Sequence, residues 1–371
     1  MKVLFLTNVP SPYRVDFFNE LGKFCDLTVL FEKKTSDERD EHWHNHRFEN
    51  FKGVFLKGKS ITVDTAICRD VIKFIDRKSY DIIICGNFSS PTGIMAIHKM
   101  RRLHIDYYLE ADGGISKNTR GFKNLLKKKI ISKAKGCFSS GKMCDQYFLT
   151  YGADPKNIYR YPFTSISEKD IIAKPLSTKE KNILRKEMGM VEEKILISVG
   201  RFSYMNGYGK GYDTLLKVSE ELPKNVGVYI IGDNPTEEFI EWKENKNLKN
   251  VHFIPFVKKD KLFKYYQSAD LMVFLTRGEA WGLVVNEALA NGLPVITTDA
   301  CIGGVEMIHN GFNGYILPVN DVKTAREIIL DCLSDTKYNI LASKSIDVAK
   351  EYTIENMAKK HIEIFNYIIG I

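Results

Sequence analysis

Leu271-Met272-Val273-Phe274-Leu275-Thr276-Arg277-Gly278-Glu279-Ala280-Trp281-Gly282-Leu283-Val284-Val285-Asn286-Glu287-Ala288 passes from an apolar run through a glycine-containing loop into a helix-forming segment, and its reading decides the fold. Residues 271–275 have the length and unbroken apolarity of a strand buried on both faces, as in a parallel sheet. The loop carries Glu279, and the helix expected over 283–291 carries Glu287. At about 1.5 Å rise per residue, Glu287 stands roughly 7 Å behind the start of that helix. Between the two carboxylates lies a helix N-terminus, whose unpaired N–H groups and positive dipole end suit an anion such as a diphosphate. Two acids at this spacing are common by chance. Their place at a strand-to-helix turn gives them meaning, because ligands of open α/β sheets collect beyond the carboxyl ends of strands. A nucleotide sugar, with sugar and ribose flanking its diphosphate, has the matching shape.

The same rhythm extends in both directions. Strands are expected over 3–9, 26–31, 81–85, 106–110 and 136–139, with helices over 14–23, 92–102 and 121–134. The pattern breaks at Tyr161-Pro162-Phe163-Thr164-Ser165 and then restarts. Strands over 194–199, 227–231, 251–254, 271–275 and 294–297 alternate with helices over 211–221, 236–243, 259–267 and 283–291. Helices over 322–333, 337–351 and 354–368 close the chain. Such alternation predicts parallel sheets covered by helices. The expected fold is therefore α/β, with two doubly wound Rossmann-like domains facing across a cleft. They span residues 1–165 and 166–350, and the closing helix, 351–371, is a candidate to cross back onto the first.

A length of 371 residues allows each domain its own core. No apolar stretch is long enough to span a bilayer, and the opening Met1-Lys2-Val3-Leu4-Phe5-Leu6 reads as a strand, too short for a signal peptide. Cys25, Cys68, Cys85, Cys137, Cys144, Cys301 and Cys332 form no Cys-x-x-Cys, and several sit in apolar runs. They read as free thiols of a reducing, cytoplasmic compartment. Charge is uneven: residues 1–165 carry 28 Lys and Arg against 18 Asp and Glu, while the remainder carries 26 against 28. A basic first half suits an anionic partner such as phospholipid head groups, a lipid diphosphate or nucleic acid, or is simply a solvated face. Its densest part, Lys123, Lys127, Lys128, Lys129, Lys133 and Lys135, is a candidate contact with an anionic membrane, at the inner face for a cytoplasmic protein. Phe122, Leu125, Leu126 and Ile130 share a helical face there, but Lys129 and Lys133 fall in or beside it, so the apolar residues equally suit packing on the sheet.

Other motifs cluster at turns of the second half. Gly200-Arg201-Phe202 ends a strand, and Lys210-Gly211 follows; two cations with glycines that let backbone approach make a plausible diphosphate clamp. Asn206-Gly207-Tyr208-Gly209-Lys210-Gly211 is not a P-loop, since its spacing differs and no Ser or Thr follows the lysine. Gly303-Gly304-Val305-Glu306 and Asn310-Gly311-Phe312-Asn313-Gly314-Tyr315 read mainly as turns. His42-Trp43-His44-Asn45-His46 would put three imidazoles on one strand face, but no carboxylate or thiolate partner is specified, and no metal site is expected. Neither opening strand leads into Gly-x-Gly-x-x-Gly, which disfavours a dehydrogenase. A nucleotide-sugar epimerase remains an alternative. So does a non-catalytic membrane- or nucleic-acid-binding module, although that would leave Glu279 and Glu287 unexplained.

In this order, Gly200-Arg201-Phe202, Lys210-Gly211, Gly232 after a strand, the Glu279 and Glu287 pair, Asn286-Glu287-Ala288-Leu289-Ala290-Asn291-Gly292-Leu293-Pro294-Val295-Ile296 and Asn313-Gly314-Tyr315 resemble the retaining family-four glycosyltransferases. Many of these assemble bacterial polysaccharides, and they have the two-Rossmann GT-B fold. The resemblance is strong over about residues 194–320; elsewhere Asn8-Val9-Pro10-Ser11-Pro12-Tyr13-Arg14 looks like the start of an acceptor domain. It implies that Arg201 and Lys210, beside Gly200, hold the donor diphosphate, and that Glu279 binds hydroxyls of the transferred sugar. Backbone N–H groups near Gly282 and Leu283 would meet sugar or phosphate oxygens, Glu287 the ribose, and the backbone near Val257 the base, for which uridine is preferred. The implied activity is transfer from a nucleotide sugar to a hydroxyl of a glycan or lipid-linked glycan. The nucleotide sugar is a substrate, and neither a cofactor nor a nucleic-acid partner is implied. Two departures stand out. The segment between Arg201 and Lys210 is longer than usual, and the first domain lacks the family's histidine beside the sugar. Leu109-Glu110-Ala111-Asp112-Gly113-Gly114 stands at a strand end instead, making Asp112, Glu110 and Arg14 candidates for the acceptor or sugar side.

Overall fold

The computed structural model describes residues 1–34, 47–114 and 121–370, so the 42–46 histidine motif lies outside the described residues. The chain forms two units, Met1–Ser165 together with Thr353–Ile371, and Ile166–Tyr352.

The first unit runs β1 (Lys2–Thr7), α1 (Pro12–Leu21), β2 (Asp26–Phe31), β3 (Lys52–Phe55), β4 (Lys59–Ser60), β5 (Ala66–Ile67), β6 (Ile82–Cys85), α2 (Pro91–Arg102), β7 (Tyr108–Ala111), α3 (Phe122–Ile131), β8 (Gly136–Ser139), α4 (Lys142–Thr150) and β9 (Ile158–Arg160). Seven strands pair in the order β3-β2-β1-β6-β7-β8-β9, all parallel. Central β1 is buried on both faces because helices cover both, which is why Val3-Leu4-Phe5-Leu6 is apolar without alternation. Pro12 opens α1, where its missing N–H would in any case have no helical partner. β4 and β5 form a separate antiparallel hairpin that the sequence pattern does not predict.

The second unit runs α5 (Thr178–Met188), β10 (Lys194–Val199), α6 (Tyr212–Glu220), β11 (Val226–Ile231), α7 (Glu237–Asn245), β12 (Val251–Ile254), α8 (Lys259–Ser268), β13 (Leu271–Phe274), α9 (Leu283–Ala290), β14 (Val295–Thr298), α10 (Ile302–Met307), β15 (Gly314–Leu317), α11 (Val322–Cys332) and α12 (Asp335–Glu351). Its sheet is also wholly parallel, in the order β12-β11-β10-β13-β14-β15. Gly314, expected in a turn, instead begins the edge strand β15. The last helix, α13 (Ile354–Ile369), packs on α1 of the first unit. Its buried Ile354, Met357, Ala358, His361, Ile364 and Phe365 recur at helical spacing, and His361 stacks flat on Phe138 of β8 at 5.3 Å. Two Rossmann-like α/β units with the closing helix returned to the first make the expected fold class. Among the described residues, no helix is long and apolar enough to cross a membrane.

Candidate functional site

In each sheet the chain reverses its direction of growth at one point, between β10 and β13 in the second unit and between β1 and β6 in the first. Loops leaving the strands on either side of such a point diverge and open a crevice.

At the second unit's switch point, the loop after β10 and the loop after β13 are sewn together. Thr276 Oγ1 donates to the Gly209 carbonyl at 3.0 Å, and the Arg277 N–H donates to the same oxygen at 3.0 Å. The Arg277 guanidinium then grips the first turn of α6, meeting both carboxylate oxygens of Asp213 at 2.6 and 2.7 Å. Gly211, with φ of 73°, allows this approach: a Cβ there would lie 1.8 Å from the Leu275 carbonyl oxygen. The stitching brings Lys210 onto Glu279, where its ammonium donates to Oε2. Lys210 Nζ also lies 5.3 Å above each of the Phe274 and Tyr204 rings. An ammonium has three donors, and among the described residues only one of them meets a protein acceptor.

Glu279 is itself fixed by its backbone, which donates to the Ala300 carbonyl at 3.0 Å and accepts from Ile302 at 3.2 Å. Gly282 caps α9 with φ of 91°; a Cβ would come within 2.9 Å of Cys301 Sγ and 3.2 Å of Glu279 Cγ. Among the described residues no side chain caps α9, and its first turn carries no acid, so the first-turn N–H groups at Leu283 and beyond keep their positive end. One turn on, Glu287 accepts from Tyr266 Oη at 3.1 Å. Burial pushes the Glu287 carboxyl up to about 7, despite the Tyr266 hydrogen bond and the nearby Lys259.

Gly200 closes β10, its carbonyl accepting from Tyr212 Oη at 2.8 Å, and Arg201 next to it is exposed. The long segment after Arg201 starts pinned, since Asp233 accepts from the Phe202 and Ser203 N–H groups. It then kinks through three left-handed residues, Met205, Asn206 and Gly207. Val257 lies in the loop after β12, beside a Phe256 that is 62% exposed. Glu279, Lys210, Gly282, Leu283 and Gly200 thus gather at one switch point, with Glu287 one turn along α9. Sequence reasoning missed Arg277 and Asp213, which stand 64 positions apart with no motif linking them. It also missed Asp233.

At the first unit's switch point, Arg14 is buried and bonds Glu110 Oε1 at 2.6 Å. Burial opposes its charge, but the Glu110 carboxylate outweighs that and holds the guanidinium well above its ordinary range. Tyr161 Oη donates to the same oxygen at 3.0 Å. Asp112 follows on the strand end; burial raises its carboxyl, Arg14 opposes the shift, and Glu110 adds to it. Arg14, Glu110 and Asp112 line a cavity of about 420 Å³ with Asn8, Asp64 and Asn87. A larger cavity of about 630 Å³ lies at the amino end of the second sheet, around Lys181, Arg185 and Asp270. There Asp270 takes Lys181 at 2.9 Å and Arg185 at 2.7 Å, and both cations also donate to main-chain carbonyls, Lys181 to Ala269 and Arg185 to Ser268 and Glu193. That larger cavity is a structural clamp at the wrong end of the strands for a ligand site.

Residues 180–351, most of the second unit, match the family model described as glycosyl transferases group 1. An uncharacterized glycosyltransferase of Methanocaldococcus jannaschii is 30% identical over 198 residues, which cover 51% of this chain and 49% of that protein. The lipopolysaccharide glucosyltransferase WaaG of Escherichia coli is 29% identical over 123 residues, 33% of this chain and 32% of its own. The chain spans about half the length of the first curated relatives it matches. The crystal structure of HepE from Anabaena in complex with UDP superposes with a TM-score of 0.78 at 16% identity, covering 99% of this chain and 100% of that one. That likeness establishes the GT-B fold.

Proposed function

We propose that the chain is a retaining glycosyltransferase that moves a sugar from a nucleoside diphosphate sugar, with uridine as its base, to a hydroxyl of a glycan or lipid-linked glycan. One observation carries the reading: Lys210 and Glu279 meet at the switch point beside the uncapped start of α9, with Glu287 a turn further on. The likeness to a fold-mate crystallised with UDP supports the choice of base.

In this reading the diphosphate lies against the α9 N-terminus and takes the two remaining donors of Lys210 together with Arg201. Those groups stabilise the charge that grows on the leaving phosphate, which is the strongest catalytic effect open to a site without a protein nucleophile. Glu279 accepts hydroxyls of the transferred sugar while its other oxygen holds Lys210 in place. Glu287 accepts from the ribose, and the loop at Val257 meets the base. The carbon–oxygen bond to phosphate breaks through an oxocarbenium-like state. The leaving phosphate oxygen takes the acceptor hydroxyl's proton on the face where the new bond forms, so the anomeric configuration is kept. Asp112 and Glu110 belong to the acceptor side. The lysines of α3 and of the segment after it make a salt-sensitive contact with anionic membrane: Lys123, Lys128, Lys129, Lys133 and Lys135 are exposed, and Leu125 is 68% exposed beside the first of them.

The test is a panel of α-linked nucleotide sugars followed by NMR of the anomeric product. The reading expects turnover of at least one UDP-sugar to an α product. A β product would overturn retention, and sugar interconversion without transfer would make the protein an epimerase.

A further inference from the structure

The segment from Ser203 to Gly209 is tied at both ends and strained in the middle. At its start the buried Phe202 ring packs on Phe239 of α7 at 5.4 Å, and Asp233 accepts the Phe202 and Ser203 N–H groups. At its end the Tyr208 ring returns to the same Phe239 at 5.6 Å, and the Tyr208 carbonyl accepts from Arg277. Between these anchors Met205 and Asn206 take φ of 50° and 52°, left-handed values that cost free energy for a residue with a Cβ. Both side chains stand exposed, so their own packing does not offset that cost.

What the strained turn places is Tyr204. Its ring lies so close to the Gly209 backbone that a Cβ there would come within 2.3 Å of two ring carbons. The ring is 43% exposed, so burial does not account for its position. Its polar neighbour does: Lys210 Nζ lies 5.3 Å from the ring centroid, and the Phe274 ring stands at the same distance. Glu279 fixes the ammonium at one point only, and a lysine stem left otherwise free keeps many rotamers. An aromatic face attracts a cation through its quadrupole without adding a negative charge. A second carboxylate in the same place would hold the ammonium equally well but cancel the charge that a diphosphate needs. Phe274 ends a central strand and is fixed by the sheet, whereas Tyr204 reaches the ammonium only because the turn carries it there.

Resting on the donor-site reading above, we propose that Tyr204 is a positioning residue for Lys210. Its ring face, brought in by the strained turn, holds the ammonium at full charge where the leaving phosphate is to be met. The acting part is the ring and not the hydroxyl. The long segment between Arg201 and Lys210 thereby acquires a use, as the arm that delivers this ring.

The test compares Tyr204→Leu, which keeps bulk and removes the aromatic face, with Tyr204→Phe, which keeps the face. Steady-state kinetics with a UDP-sugar and calorimetric binding of UDP are measured on each full chain. Tyr204→Leu should lower kcat about fivefold with a smaller change in KM, the size of a partly shielded cation–aromatic contact. Tyr204→Phe should restore kcat. In a Lys210→Ala background, Tyr204→Leu should change nothing further, because the group it positions is gone. Full turnover in Tyr204→Leu would overturn the proposal. So would an equal loss in Tyr204→Phe, or the same fivefold loss in the Lys210→Ala background, which would mark a merely structural role. UDP that fails to bind the unaltered chain would sink the donor-site reading and this proposal together. UDP binding accompanied by any of the other three outcomes sinks this proposal alone.

Discussion

The two units share a topology and part company at its switch point. Each has a wholly parallel sheet in which the chain grows one way from its first strand, returns, and grows the other way. Between β10 and β13 the loops present Lys210, Arg201 and a helix start with no cap. Between β1 and β6 they present carboxylate, amide and hydroxyl oxygens, and Arg14 is consumed by Glu110. Topology sets where a crevice forms, and loop chemistry sets the sign of what it holds. In the reading proposed above, the crevice between β10 and β13 suits an anion.

The comparison breaks most readily at Lys210. Lys210→Ala should lower kcat by roughly a hundred- to a thousandfold, about 3–4 kcal/mol of transition-state stabilisation, with a smaller change in KM. A similar loss is expected for Arg201→Ala. Steady-state kinetics of a correctly folded Lys210→Ala protein with unchanged turnover would remove the cation from the account.

Next in size is the Arg277 clamp. Among the described residues, Arg277→Ala leaves Asp213, whose side chain is 6% exposed, with only Lys217 at 4.0 Å, and frees the loop that carries Lys210. A loss of about 2 kcal/mol in urea unfolding is expected, with turnover reduced as Lys210 loses its register. An unshifted unfolding midpoint would mean that the stitch contributes nothing.

These two residues mark the limit of what the amino-acid pattern discloses. The 271–288 stretch was legible because a short apolar run and a helix-forming run flank a single loop, so both carboxylates could be placed from local spacing. The Arg277–Asp213 pair arises only when two loops meet. The β4–β5 hairpin was invisible for the same reason: each strand is two residues long, polar residues surround it, and Glu32 and Thr92 fix it from a distance. Asp64 went unseen with it. Edge strand β3 is partly exposed and lacks the apolar run that announced the central ones, while β15 was passed over because its opening Gly314 reads as a turn residue. One miss was avoidable. Helix α5 opens on a reciprocal capping box between Ser177 and Glu180, a pattern readable from spacing alone.

Glu287 sharpens the comparison through pH. Its carboxyl rises from 4.5 to about 7 in the folded chain, so between those values the folded state holds more protons than the unfolded state. Its contribution to stability is therefore present below pH 4.5 and lost as pH climbs toward 7. Ribose binding runs the opposite way, since hydroxyls donate best to the ionised form. UDP affinity should rise about tenfold across the unit below pH 7 and then level off. Glu287→Gln should flatten that calorimetric profile; a profile unchanged by the substitution would place the ribose elsewhere.

The smallest effect concerns the outer surface of the first unit. Changing Lys128, Lys129 and Lys133 to Glu should reduce co-sedimentation with anionic liposomes, each lysine contributing about 1 kcal/mol near such a surface. Lys127 is a poorer choice, since its ammonium lies 5.4 Å above the Tyr147 ring. Equal partitioning of both proteins at low salt would make the lysines an ordinary solvated face.

The central claim, that the crevice between β10 and β13 receives a nucleoside diphosphate, is tested most directly by thermal unfolding with and without UDP. At a ligand level about 100 times its dissociation constant, the account predicts roughly 2.7 kcal/mol of stabilisation, largely lost in Glu287→Ala. Melting temperatures unmoved by millimolar UDP, GDP and ADP alike would contradict it.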